Sequence, residues 1–265
     1  MLLTRSRTRE AQPPLPTTRR EVLTVAHRGA SGRAPENTLT ALAAAVADGA
    51  DLLEFDVRRT RDGALVLMHD TTLTRTTDAR RVFPGRAPWL VSDFSLAELR
   101  RLHAGGTRGE GLAGETVPTL DEALGMARAA RVGALVELKT GPDGRLPVGE
   151  LAAELRGRAH HAVIVQSFHV AGLRQVRALL PAVRIAVLGS PCRAELRALS
   201  RWADQVHPHH RRVDRRLVDE AHGWGMRCMV WTVNRPARMR HAMTLGVDGV
   251  ITDHPALLRD LASRR

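Results

Sequence analysis

The sequence predicts an α/β chain closed into a (β/α)8 TIM barrel with a small insertion after the second strand. Three observations predict it. Short apolar runs alternate with helical patterns along almost the whole chain. The chain has 265 residues, a length that suits closure of eight such units. Its clusters of polar, reactive side chains fall where strands end, the place where α/β folds collect their chemistry.

In chain order, residues 1–20 are rich in Arg, Thr and Pro and lack the apolar stretch of a secretory signal. They read as a disordered tail before a barrel domain at 21–265. The expected strands are Val22–Ala26, Leu52–Arg58, Gly133–Lys139, Ala162–Gln166, Val183–Leu188, Gln205–His207, Arg227–Thr232 and Gly249–Thr252. The expected helices are Leu39–Ala47, Leu120–Ala130, Gly149–Arg158, Ala171–Leu180, Arg193–Leu199, Asp214–His222, Arg238–Leu245 and Ala256–Ala262. One interval breaks the rhythm: about 70 residues separate the second and third strands, where a βα connection usually takes about two to six. It opens on the turn signal Asp62-Gly63, continues with a short extra strand at Ala64–Met68 and passes into loop at Thr71–Arg81. Ser95 followed by Glu98 is a capping-box pattern ahead of Leu96, Leu99 and Leu102. The interval, about 64–118, reads as an insertion rising over one end of the barrel.

Composition limits the function classes. Apolar residues make up 43%, enough for a sizeable core. No apolar run approaches the roughly 18 residues of a membrane span, so no integral membrane segment is expected. Cys192 and Cys228 match no metal or redox spacing and read as reduced structural thiols, Cys228 within an apolar run. With no secretory signal, the expected compartment is cytoplasmic. The net charge of +12 raises the question of a nucleic-acid partner. The arginines, however, are spread over seven of the eight expected helices rather than gathered in one stretch, and aromatics are only 3%, too few for a stacking platform. No nucleic-acid partner is expected.

The chemistry begins at His27-Arg28-Gly29, where the first strand runs into a polar turn and then a helix. On the second strand, Glu54 and Asp56 lie two apart and therefore share a face, which in a barrel is the inner one. Two carboxylates in a dry interior are costly unless paired or bound to a cation. By themselves they fit a metal site and an arginine-paired, solvated strand end equally well. The third strand repeats the spacing with Glu137 and Lys139. Three carboxylates converging from adjacent strands shift the balance toward hard-cation binding, with Mg²⁺ or Ca²⁺ the ions such oxygens suit. Lys139 is the only lysine of the chain, so its place calls for a compact point charge, such as one facing a phosphate oxygen; a Schiff-base role is the rival. His27 and His69 each end a strand. Singly each fits a structural role, but beside the carboxylates and Arg28 they complete what phosphodiester cleavage needs: two proton carriers, a cation site and fixed positive charge. The run His207, His209, His210 has no ligand spacing and reads as loop. Trp231 fits barrel-mouth core or an apolar substrate wall, and Asp253 a helix cap before Pro255.

The runs H-R-G-A-S-G-R-A-P-E-N-T from His27, E-F-D-V from Glu54, R-D-G-A-L-V-L-M-H-D from Arg61, L-T-R-T-T from Leu73 and V-P-T-L-D-E-A-L from Val117 follow one another in order. V-E-L-K from Val136, Q-S-F from Gln166, W-T-V-N from Trp231 and G-V-D-G-V-I-T-D-H-P from Gly246 continue the series over nearly all of 22–260. In these runs the sequence strongly resembles the glycerophosphodiester phosphodiesterase family. The resemblance implies a (β/α)8 barrel and metal-dependent hydrolysis of small-molecule glycerophosphodiesters to sn-glycerol 3-phosphate and an alcohol. It implies His27 and His69 as the acid–base pair, and Glu54, Asp56 and Glu137 as ligands of Mg²⁺ or Ca²⁺. It further implies Arg28 and Lys139 on the phosphate, and Trp231 lining the substrate pocket. Phe55 between the acids, the arginine-rich insertion and Arg33 in the first loop depart from the family pattern and bear on alcohol preference. The rival readings are a related barrel phospholipase D acting on lysophospholipids, using apolar Val82, Phe83, Trp89 and Leu90, a Schiff-base aldolase on Lys139, and a non-enzymatic nucleic-acid binder.

Overall fold

The computed structural model describes residues 22–105, 115–156 and 162–264; the expected tail and the last two residues of the helix expected at Gly149–Arg158 lie outside them. Strands β1 (Leu23–Ala26), β2 (Leu52–Arg59), β4 (Gly133–Leu138), β5 (Val163–Ser167), β6 (Arg184–Leu188), β7 (Gln205–His207), β8 (Arg227–Val230) and β9 (Gly249–Thr252) run parallel in one sheet. The sheet closes because β1 pairs on both sides: Leu23↔Gly249 to Ala26↔Thr252 with β9, and Val25↔Leu52 and Ala26↔Leu53 with β2. The fold is a (β/α)8 TIM barrel, as the alternating pattern predicts.

Alternation along the strands divides the side chains. Leu23, Val25, Leu52, Leu135, Ile164, Ala186, Met229 and Ile251 fill the inner end of the barrel. Leu53, Phe55, Val57, Val136 and Val165 point outward into the layer covered by the helices. The helices on the barrel path are α1 (Leu39–Ala47), α4 (Leu120–Ala129), α5 (Val148–Leu155), α6 (Val170–Leu179), α7 (Arg193–Leu199), α8 (Arg215–Gly223), α9 (Pro236–Leu245) and α10 (Pro255–Ser263). Four begin ahead of their expected starts, among them α9 and α10, expected at Arg238 and Ala256. Pro236 and Pro255 each sit in the first turn, where a fixed φ suits the helix and a missing N–H costs nothing.

Between β2 and β4 the chain forms β3 (Leu65–Leu67), α2 (Ala79–Val82), a 3₁₀ turn at Val91–Asp93 and α3 (Leu96–Leu99). Strand β3 lies antiparallel on the outer end of β2, in register Val57↔Leu67. The interval has its own small core, in which Phe83 and Phe94 rings lie 5.1 Å apart. The capping box at Ser95 and Glu98 forms as expected and starts α3. Among the described residues no helix is long and apolar enough to cross a membrane.

Candidate active site

The β1–α1 turn is built by backbone that few residues tolerate. Gly29 has φ +83°, and a Cβ there would lie 2.5 Å from the carbonyl carbon of Ala41. Arg28 and Asn37 also take left-handed backbone, φ 54° and 57°, conformations found at sites where function over-determines the chain. The surroundings hold them in place. The Arg28 N–H donates to Glu54 Oε2 at 2.8 Å, and the Asn37 amide donates to Asp56 Oδ2 at 2.9 Å while its carbonyl accepts the Asp56 N–H at 3.1 Å. The turn that carries His27 and Arg28 is thus tied to the carboxylates of β2.

Glu54, Asp56 and Glu137 converge from the inner faces of β2 and β4. All three are buried, and one oxygen from each lies within 4.8 Å of the others. Strand register explains the meeting, since Asp56 pairs directly with Glu137. Lys139 Nζ contacts Asp56 Oδ1 at 2.9 Å and also the Glu137 carboxylate. The Arg28 guanidinium pairs with Asp56 at 3.0 Å and with Glu36 at 2.8 Å. Burial raises Glu54 and Glu137 above the ordinary carboxylate range, with repulsion from Asp56 adding to it. For Asp56 burial acts in the same direction, but Lys139 and Arg28 outweigh it and hold the group below its usual value. Three buried hard-oxygen donors with two of them strained toward protonation fit a divalent cation. Lys139 itself is held protonated: burial lowers its pKa, and Asp56 and Glu137 more than compensate. An ammonium so paired is a poor Schiff-base nucleophile.

His27 ends β1 and His69 follows β3. The two share a motif: His27 Nδ1 lies 2.6 Å from Asp253, and His69 Nδ1 2.7 Å from Asp70. A carboxylate only accepts, so each Nδ1 carries the proton and Nε2 is the atom that exchanges one. The two carboxylates differ in their other partners. Asp253 otherwise takes neutral donors, Ser31 at 3.0 Å and the Asn234 amide. Asp70 is already bound by the Arg75 guanidinium at 2.6 and 3.0 Å, and Arg75 also holds Glu36. The histidines respond in opposite directions. Burial lowers His27, but the Asp253 bond and Glu54 raise it overall. Burial lowers His69, and Asp56 and Asp70 do not restore it. The position of His69 is set by backbone: Met68 N–H donates to Asp56 C=O at 3.0 Å, and the Arg58 guanidinium donates to His69 C=O at 2.8 and 3.0 Å.

Two expectations are corrected. Asp253 does not cap α10; His254 occupies that position without a side-chain bond, because the Asp253 carboxylate is turned to His27. His207 belongs to β7, as the expected strand Gln205–His207 has it, and not to the loop read for the run His207, His209, His210. It is a fully buried residue of β7 facing the barrel interior. Its Nδ1 contacts Gln166 Oε1 at 2.8 Å, its Nε2 contacts Gln205 at 2.9 Å, and the Gln166 amide donates to Glu54 at 3.2 Å. Burial pushes His207 down to about 3, so it is neutral and serves as a fixed link in a polar chain that ends on Glu54. Trp231 lies just beyond β8, donates its indole N–H to His207 C=O at 2.8 Å, and meets the exposed Phe168 edge to face at 5.6 Å.

Sequence reasoning therefore missed Asp253, Gln166, Gln205 and Asn234 as participants. The available signals were the inward period-two positions Gln205 and His207, and the polar residues at strand ends in Q-S-F and W-T-V-N.

A family model described as Glycerophosphoryl diester phosphodiesterase family matches residues 27–257. A glycerophosphodiester phosphodiesterase of Caldanaerobacter subterraneus subsp. tengcongensis is 34% identical over 248 residues, 92% of this chain and 99% of that one. One from Bacillus altitudinis is 31% identical over 87% of this chain and 94% of its own length. Among solved structures, an Oleispira antarctica phosphodiesterase in complex with the product sn-glycerol-3-phosphate superposes with a TM-score of 0.82 at 29% identity, covering 92% of this chain and 97% of that one. Shared barrel, shared order of motifs and near-complete coverage have one reading: the chain belongs to the glycerophosphoryl diester phosphodiesterase family and is a phosphoric diester hydrolase.

Proposed function

We propose that this enzyme hydrolyses glycerophosphodiesters to sn-glycerol 3-phosphate and an alcohol, with His27 as general acid and His69 as general base. The observation that carries the reading is the pair of histidines, each oriented by an aspartate, His27 within the field of Glu54 and His69 within that of Asp56 of the buried carboxylate triad. Opposite shifts separate their roles: His27, raised by Asp253, keeps a proton to give; His69, with Asp70 claimed by Arg75, stays neutral and can take one. His69 Nε2 removes a proton from the attacking hydroxyl, whose oxygen bonds to phosphorus as the phosphorus–oxygen bond to the alcohol breaks, and His27 Nε2 delivers its proton to the departing oxygen; where the attacker is a glycerol hydroxyl, water then opens the cyclic phosphate to sn-glycerol 3-phosphate. Arg28 and Lys139 neutralise charge on the phosphate, and Trp231 walls the substrate pocket. Glu54, Asp56 and Glu137 are the residues to hold Mg²⁺ or Ca²⁺, which when bound would stabilise charge developing on the phosphoryl oxygens.

The apolar side chains that would favour a lysophospholipid substrate support this reading instead. Phe83 is buried in the insertion's own core, and Val82 and Trp89 pack against it. An exposed, unpaired Cys192 is consistent with work in the reducing cytoplasm.

The test is release of sn-glycerol 3-phosphate from glycerophosphocholine, with chelator, with Mg²⁺ or Ca²⁺ restored, and with His27→Ala. Metal-dependent release that falls about 10²–10⁴-fold in the variant is expected. Full activity in chelator, or in His27→Ala, would overturn the assignment.

A further inference from the structure

Two of the acids proposed to hold the divalent ion already hold a cation of the chain's own. Lys139 Nζ contacts Asp56 Oδ1 at 2.9 Å and also Glu137 Oε1. One ammonium, a compact charge with three donors, thus serves both carboxylates. Glu54 is engaged differently. Its oxygens accept from the Arg28 N–H at 2.8 Å and from the Gln166 amide at 3.2 Å, neutral donors that leave lone pairs for a further ligand.

Arg28 does not stand in the same place. Its guanidinium meets Asp56 at the other oxygen, Oδ2, at 3.0 Å, beside the Asn37 amide at 2.9 Å, and Glu36 Oε1 holds it at 2.8 Å as well. The β1–α1 turn therefore claims Oδ2 and leaves Oδ1, the oxygen under Lys139. A divalent ion and an ammonium do not share such oxygens, because like charges repel strongly at this range in a buried site. The space beside the ammonium is a cleft of about 180 Å³ that Lys139 also lines. The cleft's other charged lining residues are Arg58, Arg59 and Arg145, against a single acid, Asp143, whose Oδ1 accepts the Arg145 N–H at 3.1 Å. A displaced ammonium finds room there but little counter-charge. The phosphate of a bound substrate supplies it.

We propose that Lys139 is the resident counter-ion of the triad, displaced when a divalent ion binds and then held by the substrate's phosphate, so that ion and phosphate bind cooperatively through this one side chain. The proposal rests on the metal-dependent reading above. It gives the chain's only lysine a task that suits its residue type: a single nitrogen on a flexible stem changes partners, whereas the planar fork of an arginine fixes two at once.

The test is calorimetry of Ca²⁺ and Mg²⁺ binding to the wild type and to Lys139→Met, with and without sn-glycerol 3-phosphate. Without the phosphate compound, the variant is expected to bind the ion about tenfold more tightly. A merely structural lysine would give the opposite sign. With the compound present, the gain in ion affinity is expected to be about tenfold larger in the wild type than in the variant. Equal or weaker ion binding in Lys139→Met, with the wild type binding normally, overturns the displacement and leaves the metal site standing. An equal gain in both proteins overturns the transfer to phosphate. If neither protein binds an ion, the metal-dependent reading falls and the inference with it. A crystal structure of the wild type with Ca²⁺ decides the matter even if the variant does not fold. Nζ is expected beyond about 4 Å of both Asp56 and Glu137; Nζ still between the two carboxylates with the ion bound overturns the proposal.

Discussion

Replacing Asp253 with asparagine isolates the contact that the proposed acid role of His27 depends on. The carboxylate lies 2.6 Å from His27 Nδ1, with only 19% and 27% of the two side chains exposed. The amide is isosteric and its oxygen still accepts from Nδ1–H, so that contact survives without the charge, while the amide NH2 replaces the oxygen that took the Asn234 donor. A charge-assisted hydrogen bond of this kind contributes about 1.5–3 kcal/mol, which corresponds to roughly 1–2 pH units on His27. The wild-type His27 pKa stands above its ordinary value, and Asp253 is held down to about 2 by His27, Ser31 and Asn234 against the effect of burial. In Asp253→Asn the alkaline limb of the kcat/KM profile therefore moves down by roughly 1–2 units. The loss is about 10–100-fold on that limb and small at the acid end. The same pair gives a stability signature. A raised histidine stabilises the fold below its unfolded pKa and loses this as pH rises through the folded value; a depressed aspartate stabilises above its unfolded pKa and loses this as pH falls. The wild type should thus exceed the variant in urea stability most between about pH 4 and 6.5, and less at pH 9. A uniform rate loss with the alkaline limb unmoved would refute the claim that Asp253 sets the protonation of His27.

Two further outcomes follow from the neighbouring contacts. Arg75→Met frees Asp70 for His69 and removes a nearby positive charge, so the His69 pKa rises and the acid limb of the pH–rate profile moves upward; an unmoved limb would remove Arg75 from the control of His69. His207→Leu unlinks Gln166 from its fixed orientation and leaves Glu54 without a steered donor, so Mg²⁺ or Ca²⁺ affinity measured by calorimetry should fall about 10–100-fold. Unchanged metal affinity in a folded variant would show the Gln205–His207–Gln166 chain to be packing alone.

The barrel was legible because its signal is periodic. Apolar strands such as Leu52–Arg59 must bury both faces, and the helices between them present one apolar stripe, so strand and helix alternate visibly along the chain. Edges blurred where local chemistry acted over short range: Pro236 and Pro255 begin helices that periodicity places later. The carboxylates were legible for the same reason, since period two on β2 and β4 sends Glu54, Asp56, Glu137 and Lys139 inward together.

By itself the sequence determined the fold class, the inward set of acids and the presence of histidines at strand ends. All of these follow from spacing within one strand, a distance the chain fixes covalently. What the tertiary structure alone decided is which groups face one another across the barrel. Asp253 reaches His27 over 226 positions only because β9 closes on β1. Gln166 reaches Glu54 over 112 positions only because β5 and β2 flank β4. Arg75 ties Asp70 to Glu36 only after the insertion folds over the barrel mouth. Charge, burial and hydrogen-bond partner set a proton's affinity, and each of these is a property of neighbours that sequence separation does not encode. The two histidines therefore became distinguishable only when the strands had closed.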